Sequence, residues 1–129
     1  MKKHLLFLMA ILVFSSFKSF SPSLKHSPII QNKNLLQNGE LIKKGKTIFL
    51  KNQCNLCHKE NAEGLAPSLA VINTHYKGDK EKLIKFLKRE SKPIVLPESF
   101  GIMAANLFKT KRMSDDELNA LATYLLSIK

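Results

Sequence analysis

Residues 53–58 read Gln53-Cys54-Asn55-Leu56-Cys57-His58, and they hold both cysteines of the 129-residue chain. Two cysteines three apart serve four chemistries: a disulfide, a redox-active dithiol, half of a zinc site, or, with a histidine directly behind, the attachment of a haem. A disulfide across three residues closes a very small loop and stabilises little. A zinc site needs four ligands, and only Cys54, Cys57, His58 and the distant His75 are on offer. A thioredoxin-like dithiol follows a strand in a βαβ pattern, whereas the residues before Cys54 repeat at helical spacing. Haem attachment accounts for all three residues. Each thiol adds its S–H across one vinyl group to form a thioether, and His58, next in line, offers an imidazole to the iron.

The N-terminus points the same way. Lys2, Lys3 and His4 precede an unbroken apolar run from Leu5 to Phe14, and small residues follow at Ser15, Ser16, Ser19 and Ser21. This order of positive, apolar and small residues is that of a secretory signal. The ten-residue run is shorter than the roughly 20 apolar residues of a membrane span, so a retained anchor is the weaker reading. No cysteine follows the run, which excludes a lipoprotein anchor. Residues 1–21 therefore read as a signal, cut between Ser16 and Ser21, residues 22–37 as a linker holding His26 and two prolines, and residues 38–129 as the folded domain. In a Gram-negative source the destination is the periplasm. Export is what haem attachment of this type requires, and it leads to an oxidising compartment. A domain near 90 residues has a marginal core unless something adds buried apolar area or a covalent staple, and a haem adds both.

Lys and Arg number 21 against 10 Asp and Glu, a formal charge of +11. Without Lys2, Lys3 and Lys18 the balance is 18 cations against 10 anions, or +8. Such a surface keeps a protein soluble, and it also steers association with an acidic redox partner or an anionic membrane. No recognised nucleic-acid-binding motif is present.

Within 38–129 the spacing predicts helices. Asn38 caps the first, which runs to Lys51 with Leu41, Ile42, Gly45, Ile48 and Phe49 on one stripe. Gly45 inside it costs about 1 kcal/mol against alanine, which implies that another backbone crosses close by. A short helix is expected near Ser68–Ile72, and another from Asp79 to about Glu90, stopping before Pro93. Residues 99–109 fit either a short helix or a loop. Ser114 and Glu117 form a capping box with Met113 as a staple onto Leu118, and Leu118, Leu121, Ala122, Leu125 and Ile128 carry the last helix. No strand and no repeat are evident, so the expected class is all-α, with three main helices and one or two short ones.

With these features in place, residues 38–129 resemble a monohaem class I cytochrome c. "GKTIFLKNQCNLCH" has the family's glycine and aromatic four apart ahead of the haem motif, here Gly45 and Phe49. The resemblance implies that they meet a leucine and an aromatic of the last helix, Leu121 and Tyr124. "GLAPSL" is similar to the family's glycine-proline-leucine segment, although Leu65 and Ala66 separate its glycine from its proline. The resemblance implies that the Pro67 carbonyl accepts a hydrogen bond from His58, which fixes the ring and raises its basicity.

The family's second axial ligand is a methionine ahead of the final helix. Met113 occupies the staple position, so the resemblance implies Met103 as that ligand, with Met113, His75 or an open iron as the other readings. No proline follows Met103 as it does in much of the family; Ala104 and Ala105 stand there. Histidine–methionine ligation raises the potential of the iron and leaves no coordination site for a substrate. The expected function is an exported electron carrier with one haem c and no catalysis of its own, passing one electron between redox proteins with acidic docking surfaces. A haem subunit of a larger redox enzyme is the alternative, and a ligand-sensing haem a third.

Overall fold

Residues 28–129, the part described by a computed structural model, fold into six α-helices. They are α1 (Pro28–Lys51), α2 (Leu69–Tyr76), α3 (Lys80–Leu87), α4 (Phe100–Ala104), α5 (Leu107–Lys111) and α6 (Asp115–Leu125). Single 3-10 turns lie at Cys54–Leu56 and Pro97–Ser99. Among the described residues there is no strand, and the class is all-α. No described helix is long and apolar enough to cross a membrane. The expected signal, its cleavage site and His26 lie outside the described residues.

The most extensive helix contact is between α1 and α6, and Gly45 makes it possible. A Cβ on Gly45 would overlap the Ala120 carbonyl oxygen and come within 2.6 Å of Tyr124 Cβ. The close crossing that the glycine implied is therefore present, but it is received by Ala120 and Tyr124. Leu121 lies in the same buried cluster as Phe49 and Tyr124, 1% exposed. Phe49 and Tyr124 fill the space beside the crossing edge to face, with ring centroids 5.3 Å apart at 62°, the arrangement that the ring quadrupoles favour. Leu69, Leu83, Leu87, Leu107 and Leu118 extend the same buried cluster.

Three local features differ from the sequence expectation. The first helix starts at Pro28 and not at Asn38. A proline suits a first helical position because its missing N–H has no partner there. The turns before Leu41 bury nothing described: Leu35 is 71% and Leu36 69% exposed, so no apolar period marked them. The helix count also exceeds three main and two short ones, because residues 100–111 fold into α4 and α5. A buried side chain holds this pair in place: Thr110 Oγ1 lies 2.6 Å from Leu87 O, at the end of α3, and 3.1 Å from Leu107 O. Finally, α3 closes at Leu87 and not near Glu90, while the expected Asp79 cap is present, its side chain accepting from Lys82 N.

The capping box of α6 forms as expected. Ser114 Oγ accepts from Glu117 N at 3.3 Å, and Glu117 Oε2 accepts from Ser114 N at 2.9 Å. That donated N–H, then the Ser114 hydroxyl, holds the Glu117 carboxyl below its ordinary value of 4.5. A depressed carboxyl pKa stabilises the fold above the unfolded value, and the contribution is lost as pH falls through the folded one. The unfolding midpoint should thus lose stability from α6 only below about pH 4.5. Glu117→Gln, which keeps an acceptor without the charge, should flatten that acid limb in a pH series of thermal melts.

Candidate haem site

The end of α1 sets the geometry of the cysteine motif. Asn52 Nδ2 donates to Ile48 O at 2.8 Å, and Gln53, at φ 61° in the left-handed region, turns the chain into the 3-10 segment. Cys57 N and His58 N both donate to Cys54 O, at 3.3 and 2.9 Å. This single wound turn carries Cys54, Cys57 and His58. Both thiols are half-buried and neither is in a disulfide. Burial pushes the Cys54 thiol up, and the Lys109 ammonium pulls against that shift.

A second segment then folds back along the first. Ala66 N donates to Cys57 O (3.2 Å), Leu69 N to Lys59 O (2.8 Å) and Ala70 N to Glu60 O (3.1 Å). Gly64 permits the return, because a Cβ there would sit 2.7 Å from Cys57 O. The return brings His58 Nδ1 to 2.7 Å from Pro67 O. A carbonyl can only accept, so Nδ1 is the donor, and Nε2 is the nitrogen left for a ligand. A carbonyl on the second nitrogen is the usual means of fixing a ligating imidazole.

Glu60, which sequence reasoning did not single out, ties this unit to the helix crossing. Its Oε1 accepts from Tyr124 Oη at 2.8 Å and from Lys46 Nζ at 3.0 Å. The lysine first and the tyrosine second lower the Glu60 pKa. Burial, then Glu60, pushes the Tyr124 phenol up to about 12. Glu60 and Tyr124 lie 64 positions apart, and no spacing rule links residues so distant.

The candidate axial side chains differ in setting. Met103 lies in α4, half-buried, against the same core cluster as Cys54, Ile94, Val95 and Phe100. Met113 also packs on this cluster, at the foot of α6. His75 is exposed on α2, with Nδ1 2.9 Å from Val71 O. A cavity of about 470 Å³ lies against Pro67, between the 61–68 loop, α2 and Val95–Leu96.

Residues 42–129 match the family Cytochrome c. The chain belongs to the cytochrome c family. Among curated proteins, none matches it. Family membership makes this a haem-binding electron-transfer protein, and its cofactor is covalently bound haem c with iron. The residues of this cytochrome c fit that group. Two unpaired thiols and an imidazole share one turn, the imidazole presents a single free nitrogen, and apolar side chains including a thioether lie in the same core. The expected Gly45–Phe49 packing against Tyr124 also lies inside the matched segment.

A strongly basic groove of about 560 Å³ adjoins the motif. Lys43, Lys44 and Lys51 of α1, Lys109 of α5 and Arg112 line it, against only Glu40 and Glu117. Lys109 reaches toward the motif, its Nζ 3.4 Å from Asn52 O and its charge felt at Cys54.

Proposed function

We propose that this cytochrome c is an exported, monohaem electron carrier whose iron is held between His58 and Met103. The observation that carries the reading is the His58 Nδ1–H donated to the Pro67 carbonyl within a motif that uses both cysteines of the chain. Cys54 and Cys57 hold the porphyrin by thioethers. Pro67 would fix the ring of His58 and leave Nε2 for the iron, and Met103 would supply a thioether sulfur. The haem supplies a one-electron couple. The side chains keep that couple in an apolar shell, at a potential raised by the methionine. With His58 and Met103 both bound to it, the iron would have no open coordination site for catalysis. The apolar run at Leu5–Phe14 behind Lys2 and Lys3 supports export, and in a Gram-negative source this is a periplasmic protein.

The partners are redox proteins with acidic docking surfaces. The groove of Lys43, Lys44, Lys51, Lys109 and Arg112 is the face that meets them, and Lys109 brings it up to Cys54. Steering of this kind raises the association rate and is screened by salt. Oxidation of the reduced protein by anionic hexacyanoferrate should therefore slow severalfold as ionic strength rises. The double variant Lys43→Glu, Lys51→Glu should start slower and depend less on salt. A native rate that does not change with ionic strength would rule out the groove as the docking face.

A further inference from the structure

We propose that Glu60 is a positioning residue for His58, holding its loop in place through Tyr124. The proposal rests on the reading of His58 as an axial ligand. The loop that carries His58 has two sets of restraints. One is local: the hydrogen bonds from Ala66, Leu69 and Ala70 to Cys57, Lys59 and Glu60, together with Pro67 on the His58 ring. These join the motif to the returning 66–70 segment, which Leu69 anchors in the core. The other set is the Glu60 carboxylate, which accepts from Tyr124 Oη at 2.8 Å. Tyr124 is 2% exposed. Its ring lies against Phe49, and its Cβ lies beside Gly45 in the α1–α6 crossing. The phenol is thus fixed by the most closely packed part of the protein, and Glu60 transmits that rigidity to a site two residues from His58.

The two donors to Glu60 differ in weight. Lys46 Nζ is 3.0 Å away, but the side chains of this ion pair are 53% and 45% exposed, and such pairs contribute little. The phenol, unlike the lysine ammonium, is a donor held in place by packing, because Tyr124 is 2% exposed and its ring lies against Phe49. Tyr124 is therefore the working half of the contact. Loss of it frees the 57–60 segment to move against 66–70, lengthens the His58 to Pro67 bond and lowers the basicity of the imidazole.

Hydrogen exchange on the haem-loaded protein tests this. In Glu60→Ala and Tyr124→Phe, the His58 Nδ1–H and the amides of Ala66, Leu69 and Ala70 should exchange roughly tenfold faster, while the amides of Leu83 and Leu87 in α3 change little. Glu60→Gln, which still accepts from the phenol, should keep near-native exchange, and Lys46→Met should stay within about twofold. Glu60→Ala and Glu60→Gln carry the same charge, so a potential more positive in the alanine variant reports on His58 and not on electrostatics. Equal acceleration at every amide, or identical behaviour of the alanine and glutamine variants, overturns the proposal. Failure of His58 as ligand shows separately, as an unchanged haem spectrum in His58→Ala; the exchange pattern still decides whether Glu60 holds the loop.

Discussion

Gly45→Ala is expected to lower the unfolding midpoint of the haem-loaded protein by roughly 10–20 °C, from a loss of about 2–4 kcal/mol. Helix propensity alone predicts the opposite sign, since alanine is favoured over glycine by about 1 kcal/mol in a helix interior. The crossing reverses it. The added methyl meets backbone, the Ala120 carbonyl, and Tyr124 Cβ at 2.6 Å, and neither is the movable tip of a side chain. Relief requires α1 and α6 to separate, which loosens the packing of Phe49 and Tyr124. Gly39 provides the control within the same helix. A Cβ there meets nothing within 4 Å, so Gly39→Ala should leave the midpoint unchanged or raise it slightly. Thermal melts of the two variants followed by circular dichroism make the comparison. Equal midpoints for both would mean that the crossing is not close.

Met103→Ala carries the second large effect, on the haem. It should abolish the weak band near the red end of the oxidised spectrum that marks methionine ligation. The potential should fall by a substantial fraction of the ~0.8 V that axial ligands span across haem proteins. The reduced variant should also bind carbon monoxide rapidly, which the native protein should not. Met113→Ala and His75→Ala discriminate between the candidates. Met113 packs at the foot of α6 and its removal should reduce stability with the band intact. His75 is exposed, hydrogen-bonded to its own helix, and its removal should change neither. A band that survives in Met103→Ala and disappears in Met113→Ala would transfer the axial role to Met113.

What could be read from the sequence was local chemistry. The α6 cap is legible because Ser114 and Glu117 satisfy each other's backbone amides within one turn. Gly45 is legible because a glycine inside a helix needs a reason. The backbone it meets is not: the nearest atom is the Ala120 carbonyl oxygen, and Ala120 and Tyr124 lie four apart on one stripe. The start of α1 is not legible because its exposed first turns, with Leu35 and Leu36 in solvent, carry no period of burial. Helices as short as α4 and α5 carry little propensity signal; Thr110 on the end of α3 and Leu107 in the core fix them. At the candidate site, the cysteines and His58 stand out by spacing alone, and the His58–Pro67 contact follows from the family segment. Glu60 does not stand out, because its role exists only once a residue 64 positions away folds against it.

The central claim is that Cys54 and Cys57 hold one haem covalently. The intact mass of the protein purified from its native host, under denaturing conditions that strip any non-covalent ligand, tests it most directly. The predicted mass is that of the chain without its signal plus one haem, and Cys54→Ala, Cys57→Ala should lack the haem increment. A native mass equal to the bare polypeptide, or two hydrogens lighter from a Cys54–Cys57 disulfide, would contradict it.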